Sequence, residues 1–373
     1  MSANRRLLGI GTMSGTSMDG LDIALCEFLI GKEDQYSVRL LKGECIPFDE
    51  TWYARLYHIR EQSAETYAKT HVYFGRWMGR QLNGFIERHA IKPDFVAIHG
   101  QTIFHQPEKE FTAQIGDGET VVSYLPCPLV SNFRNKDLAL GGEGAPLIPM
   151  GERYLFPDYK LFLNLGGFAN VTYGHQAFDI SPCNIILNYI FQKACPDAET
   201  DYDPDGKMAA SGKVCDQLLG ALDDLDYYKR TPPKSLGWEW VEANVLPILA
   251  GNPMAPEHLL RTLVEHIAGQ IADHIEQLKV DPQKILITGG GQHHRFLMQI
   301  LTEKLKAQGI EIADGIDPNI VDYKEAMVFA FLGLRALEGR PTTLAQATGA
   351  QHDVVTGSIH LPPQGGWRLV PAD

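Results

Sequence analysis

Cysteine is scarce in this chain and unpaired in its spacing. Of 373 residues six are cysteines, Cys26, Cys45, Cys127, Cys183, Cys195 and Cys215, with no C-x-x-C pair among them. That argues against a cysteine metal site and a disulfide framework, and it suits a reducing, cytoplasmic setting. Positive charge is also short. Lys and Arg number 33 against 46 Asp and Glu, for a formal net charge of -13. Binding nucleic acid requires a basic face to neutralise phosphates, and an anionic membrane would repel such a chain; neither is expected as a partner. No apolar run approaches the roughly 20 residues that span a bilayer. Arg5, Arg6, Leu7 and Leu8 imitate a signal peptide, but Gly11, Thr12, Ser14 and Asp19 interrupt the apolar run too soon. Biased tracts are missing too, so disorder is not expected.

What is present is material for two cores, since 44% of the residues are hydrophobic over a length too great for one small core. The pattern begins with strand, glycine-rich turn, strand: Leu7 to Gly11, a turn from Thr12 to Gly20, then Leu21 to Leu25. A second such unit runs from Leu161 to Leu165, turns at Gly166, Gly167, Phe168 and Ala169, and returns through Asn170 to Tyr173. Two such units, each opening about half of the chain, suggest an internal duplication able to grip a polyphosphate from two sides. Helical spacing of Tyr67, Phe74, Met78, Leu82 and Phe85 predicts a helix within 61–90. Leu259, Leu260, Leu263, Ile267, Ile271, Ile275 and Leu278 form a second stripe, with Pro256 suited to a first helical turn. Strands are expected at Phe95–Ile98 and Lys284–Thr288, and a late helix over about 322–338. The domain boundary is placed near 130, after Pro126-Cys127-Pro128, giving domains 1–130 and 131–373.

The turn at 12–20 carries the strongest chemical signal. Its small residues let a ligand approach the backbone, its successive N–H groups can form an anion nest, and its hydroxyls add donors. Asp19 and Asp22 beside a phosphate would repel it unless a cation lies between, which implies Mg²⁺ with waters kept in its shell, held by Asp19 through water. The same pattern also suits a tight polar hairpin with solvated aspartates. A dinucleotide fingerprint is excluded, because the third glycine is missing and a strand, not a helix, follows. No lysine follows Gly15 or Gly20, so a Walker loop is excluded as well.

Gly289, Gly290 and Gly291 fall between a strand and a helix, where a flat base or ribose can lie on the backbone and the helix N-terminus favours negative charge. Such a corner also serves packing. The neighbouring His293 and His294 are expected to be solvated. Asp179 stands at a strand end before Pro182, placed either to accept a proton from a bound hydroxyl or water, or to cap the following helix. Asp201, Asp203 and Asp205 precede Gly206 like a calcium loop, but Gly212 stands where the bidentate Glu belongs, and solvated loop acids are expected. Arg134 and Glu325 are candidates for a polar pocket or for surface salt bridges.

Six segments in this order carry a resemblance: Gly11 to Gly20, Ile98 to Thr102, Gly141 to Pro146, Leu163 to Gly167, Pro232 to Ser235 and Thr288 to Gly291. From about residue 7 to about residue 350 the chain resembles the anhydro-N-acetylmuramic acid kinase family of bacterial cell-wall recycling. The resemblance implies an α/β, two-domain actin/hexokinase-like (ribonuclease H-like) fold with ATP in a cleft between the domains, a cytoplasmic homodimer, and a sugar substrate. It implies that Gly15, Thr16, Ser17, Met18, Asp19, Gly20, Leu21 and Asp22 meet ATP, with Gly166, Gly167, Gly289, Gly290 and Gly291 completing the nucleotide site. Asp179 matches the family's catalytic aspartate, and Ser14, His99, Arg134 and Glu325 are assigned to the sugar. One departure stands out. Where the family commonly reads Phe-Asp-Thr-Gly-Pro-Gly-Asn, this chain has Phe178-Asp179-Ile180-Ser181-Pro182-Cys183-Asn184. The loop's shape and the substrate range are therefore open. The alternatives are a kinase of an ordinary sugar hydroxyl and a non-catalytic sugar or nucleotide sensor.

Overall fold

In a computed structural model, the described residues are 5–15, 18, 20–32, 34–174, 176–232, 234–281, 284–315 and 317–365. They contain twelve strands. In chain order these are β1 (Arg5–Ser14), β2 (Gly20–Ile30), β3 (Tyr36–Pro47), β4 (Phe95–Gln106), β5 (Phe111–Ile115), β6 (Leu129–Ser131), β7 (Leu161–Leu165), β8 (Phe168–Tyr173), β9 (Gln176–Pro182), β10 (Lys284–Thr288), β11 (Glu311–Ile312) and β12 (Ser358–His360). They form two sheets, ordered β12-β6-β4-β1-β2-β3, with β5 on β4, and β11-β10-β7-β8-β9.

The two sheets repeat one plan. An antiparallel meander, β1-β2-β3 or β7-β8-β9, is extended on the free side of its first strand by parallel strands, β4 then β6 or β10 then β11. The duplication expected from the two glycine-turn hairpins is therefore present as topology, in the α/β class anticipated. Both hairpins, the strand at Lys284–Thr288 and the long helices stand where the patterns put them; the helices run Ala64–Arg88, Pro256–Gln277, Arg295–Ala307 and Pro318–Leu337.

Compactness divides the chain at Pro157/Asp158 and again at Asp322/Tyr323, not near 130. The reason lies in β6, which pairs with both β4 and β12 and so ties residues 129–131 into the first sheet. The Pro126–Pro128 segment is an entry to that inner strand rather than a linker.

In the first unit, Phe74, Met78, Leu82 and Phe85 of the helix Ala64–Arg88 bury completely against Ile10, Leu21, Ile23, Val96 and Ile98 of the sheet. Each such side chain contributes about 1.5–3 kcal/mol by leaving water. The other face of β1 receives the last helix. A Cβ on Gly11 would fall 1.9 Å from the Ala326 carbonyl oxygen, so the helix lies directly on the strand backbone. From Ala326 to Leu332 every residue of this helix is buried, as expected of a helix apolar all round. At its start, Lys324 Nζ donates to Glu152 Oε1 at 2.7 Å, with both side chains withdrawn from solvent.

In the second unit, Leu260, Leu263, Ile267, Ile271 and Ile275 of the helix Pro256–Gln277 pack against Leu163, Leu165, Val171, Ile180 and Ile287. The same helix carries a stripe of polar residues that periodicity did not reveal: His266, Gln270 and His274, four residues apart and all buried. No helix among the described residues is long and apolar enough to cross a membrane.

Breaking the buried pair should be costly and replacing it should not. Lys324→Met alone is expected to lower unfolding free energy by about 3–5 kcal/mol by leaving Glu152 charged and unmatched, while the double replacement Lys324→Met with Glu152→Met recovers most of it. Denaturant titration of the single and double variants measures this.

Candidate active site

The first unit gathers the residues assigned to the sugar. Strand β1 ends at Ser14, which pairs with Gln101 of β4 after a register shift between Thr12 and Ser14. The Ser14 hydroxyl donates to Gln101 Oε1, and Gln101 Nε2 donates to the Gly15 carbonyl at 3.1 Å. Gln101 therefore holds the start of the glycine turn from behind. Beyond it, Met18 takes a left-handed φ of 55° and its N–H closes onto the Gly15 carbonyl. Gly20 is required by a close approach, since a Cβ there would lie 2.5 Å from the Ile46 carbonyl oxygen. Leu21 turns its side chain into the core, so only its backbone could meet a nucleotide. Asp22 is half-buried in β2, in register with Met13. Thr16, Ser17 and Asp19, assigned from sequence to ATP and the metal, lie outside the described residues, as does Pro233.

His99 and Arg134 form one unit. Arg134 Nε and Nη2 donate to His99 Nε2 at 3.0 and 2.9 Å, and Nη1 donates to the Gly144 carbonyl at 2.8 Å. An arginine can only donate, so Nε2 is the acceptor and the ring is neutral, its proton on Nδ1. Burial holds the His99 pKa well below the usual range, and the Arg134 charge adds to that. Burial also lowers Arg134, to about 10, while the carboxylates of Glu325 and Asp137 oppose the shift. Glu325 therefore lies near enough to Arg134 for its charge to be felt there. Asp137 was not singled out from sequence. Fully buried, it accepts from the Gly144 N–H and from the Thr348 hydroxyl, at 2.8 and 2.9 Å, and so shapes the 141–144 loop around Arg134.

In the second unit the two glycine corners pack on each other. Gly289, at φ 89°, would place a Cβ 2.4 Å from Asn164 Oδ1; Gly291 would place one 2.6 Å from Leu165 Cβ. Asn184 anchors the first corner, donating through Nδ2 to the Leu165 carbonyl at 2.9 Å and through its backbone to the Gly166 carbonyl. Around Gly290 there is room, and around Gly166 and Gly167 a Cβ would meet only ordinary contacts. Packing thus explains Gly289 and Gly291, and leaves Gly290 as the open position of the corner.

Asp179 sits on β9, just before a bulge: Asn170 pairs with Asp179 but Ala169 pairs with Ser181, so Ile180 is the extra residue. Phe178 and Ile180 face the core, and Asp179 faces the segment 227–236. That segment grips it three times. Leu236 N–H donates to Oδ2 at 2.9 Å, Asp179 N–H donates to the Lys234 carbonyl at 3.1 Å, and the Tyr227 hydroxyl donates to the Asp179 carbonyl at 2.7 Å. Burial raises its pKa to about 6, against the lowering effect of the Leu236 N–H. Asp179 does not cap the following helix, which disposes of the alternative role. The substituted loop points inward: Ile180 and Cys183 are core residues, and the buried Ser181 hydroxyl donates to the Pro182 carbonyl.

Two expectations of solvated side chains fail. Asp203 is buried and caps the turn at 207–211, accepting from the N–H groups of Met208 and Ala209. His294 caps the helix Arg295–Ala307, its Nδ1 accepting from Leu297 N–H, whereas exposed His293 pairs with Asp322. In both cases a free helix N–H supplied the partner. Among the described residues no three His, Cys, Asp or Glu side chains cluster so as to hold a metal.

A carboxylate of raised pKa and two glycine corners packed on each other, on the second of two sheets built to one plan, suit a phosphotransferase. The chain belongs to the anhydro-N-acetylmuramic acid kinase family, whose model matches residues 7–362. The anhydro-N-acetylmuramic acid kinase of Pseudomonas syringae pv. tomato is 34% identical, over 94% of this chain and 98% of that one. That of Coxiella burnetii is 33% identical, over 94% and 96%. Among solved structures, component A of the Acidaminococcus fermentans (R)-2-hydroxyglutaryl-CoA dehydratase covers 87% of this chain and 96% of its own at 12% identity, with a TM-score of 0.42.

The glycine corner separates structure from binding. Gly289→Ala should destabilise by at least about 1 kcal/mol, because its φ and its neighbours both exclude a Cβ. Gly290→Ala should fold with an unchanged melting midpoint and raise the KM for nucleotide. Calorimetry and initial-rate kinetics distinguish the two.

Proposed function

We propose that this protein converts ATP, water and 1,6-anhydro-N-acetylmuramic acid to N-acetylmuramic acid 6-phosphate and ADP. The reading is carried by a family match over residues 7–362 in a chain that keeps Asp179 as a half-buried carboxylate with a raised pKa.

The anhydro bridge joins O6 to C1, so O6 has no proton to give up. Asp179 therefore acts on water. The water oxygen bonds to C1 while its proton passes to Asp179 Oδ1, the oxygen that receives no hydrogen bond among the described residues. The C1–O6 bond breaks with its electron pair on O6. O6 then bonds to the γ-phosphorus as the bond to the β–γ bridging oxygen breaks, and ADP leaves. Asp179 returns its proton to solvent.

The turn Gly15–Asp22, Gly166, Gly167 and Gly289 to Gly291 are assigned to ATP, and Ser14, His99, Arg134 and Glu325 to the sugar. With the His99 acceptor already taken by Arg134, the pair is left with N–H donors, which suits the oxygens of a ligand carrying hydroxyls and a carboxylate. Mg²⁺ would neutralise charge on the phosphate oxygens. One or two carboxylates with waters suffice for it, and Asp19 through water is the donor assigned. The family resemblance supports a homodimer, and a reducing, cytoplasmic setting suits the scattered cysteines. The sensor alternative drew on the altered 180–183 loop; since Ile180 and Cys183 face the core and the grip on Asp179 is complete, that loop gives it no support.

Turnover in ¹⁸O-labelled water should place solvent oxygen at C1 of the product; incorporation absent within the assay time would point to an ordinary hydroxyl acceptor. Asp179→Asn should cut kcat by about 10²–10⁴-fold with ATP affinity near normal. The pH dependence follows from the same group. Only the ionised carboxylate accepts a proton, so kcat/KM should fall roughly tenfold per unit below a limb at about 6, far above an ordinary aspartate. A pH–rate profile from 4.5 to 8 checks the limb.

A further inference from the structure

Lys234 has no part in the chemistry above, yet its surroundings are unusual for a lysine. Its Nζ lies 2.8 Å from His274 Nε2 and 3.3 Å from the Tyr227 carbonyl oxygen, and over the rings of Tyr227 and Phe178 at 4.8 and 5.7 Å. His274 Nδ1 faces the Gln270 carbonyl at 2.8 Å and must donate to it, which leaves Nε2 to accept from Lys234. Gln270 Nε2 in turn donates to Asp223 Oδ1 at 3.1 Å, and that oxygen also meets His266 Nδ1 at 2.6 Å. The ammonium is thus moored to the buried polar stripe of the helix Pro256–Gln277.

Among the described residues Lys234 has no carboxylate partner. The titratable groups that face it are Arg230, Tyr227 and His274, and burial followed by the Arg230 charge pushes its pKa down to about 8. A lysine placed this way is costly, and an apolar side chain would fill the same space between the rings more cheaply. What only the ammonium supplies is directed hydrogen bonds to two fixed acceptors. Its own backbone carbonyl, and the N–H of Leu236 two residues on, are the groups that grip Asp179.

We propose that Lys234 is a positioning residue for Asp179: moored on His274 and the Tyr227 carbonyl, it holds the 234–236 segment where Leu236 N–H meets the carboxylate. The assignment rests on Asp179 being the base. A shift of about 1 Å in such a group is enough to cost about 10²-fold in rate.

The test compares Lys234→Met, Lys234→Gln, His274→Leu and His274→Gln in the full chain, by ADP release with the anhydro sugar and ATP. Lys234→Met and His274→Leu should lose about 10²-fold in kcat, with the KM for ATP within about threefold of the parent. His274→Gln keeps an oxygen for Nζ, and Lys234→Gln keeps a donor for His274 Nε2; both should recover most of that loss. The acid limb should move to higher pH in Lys234→Met, because the Leu236 N–H that lowers the Asp179 pKa is lost while burial stays. Rates are taken per folded molecule, and if Lys234→Met fails to fold, the Lys234→Gln and His274 pair carries the comparison. Parent-like kcat with an unmoved limb in the altered variants overturns the proposal. So does equal loss in His274→Leu and His274→Gln. If instead Asp179→Asn retains turnover in parallel assays, it is the base assignment that fails.

Discussion

A half-buried carboxylate that accepts, among the described residues, a single backbone N–H is the constraint around which the second unit is arranged. Burial raises the Asp179 pKa to about 6, and the bond from Leu236 offsets only part of that cost. The arrangement favours a group that must take up a proton and release it, because a pKa near neutrality balances the two. It also requires the surrounding chain to be firm. The bulge at Ile180 and the grip of Tyr227, Lys234 and Leu236 together fix where the carboxylate points. The desolvation cost is met by core packing on the other face of β9, where Phe178 and Ile180 are buried.

The first unit solves a different problem, the withdrawal of a cation. Arg134 sheds water against a neutral histidine and a backbone carbonyl, with the Glu325 and Asp137 carboxylates near enough to oppose the loss of its charge. Asp137 supports it indirectly, by fixing the 141–144 loop through Gly144 and by anchoring to Thr348 from a distant part of the chain. A guanidinium fixed in this way has little reorganisation left to undergo.

The substitutions around Asp179 bear on how far a family motif must be kept. Ile180 and Cys183 stand where the family commonly has threonine and glycine, yet both side chains are enclosed by the second core. Core positions tolerate exchange when volume can be absorbed by neighbours. The surface of the loop that carries the carboxylate is consequently set by Asp179 and by the segment opposite it, not by the exchanged residues.

Periodicity and turn chemistry were enough, from sequence, to place both glycine hairpins, the long helices and the strand before Gly289, because each depends on contacts within a few residues or on a repeating apolar face. Asp179, Arg134 and Glu325 became site candidates through the family resemblance, not through periodicity. Tertiary structure alone decided the rest. The division of the chain at 157 and 322 depends on which sheet β6 joins, and Gln101, Asp137, Tyr227 and Leu236 gain their roles from partners far along the chain or from a loop with no periodic signal. His266, Gln270 and His274 lay hidden inside a helix whose apolar stripe dominated its pattern. Asp203 and His294 looked solvated because a free helix N–H cannot be seen until the helix is placed. Local pattern fixes which elements form; only packing determines which buried polar atoms meet, since that depends on distances no spacing in the chain encodes.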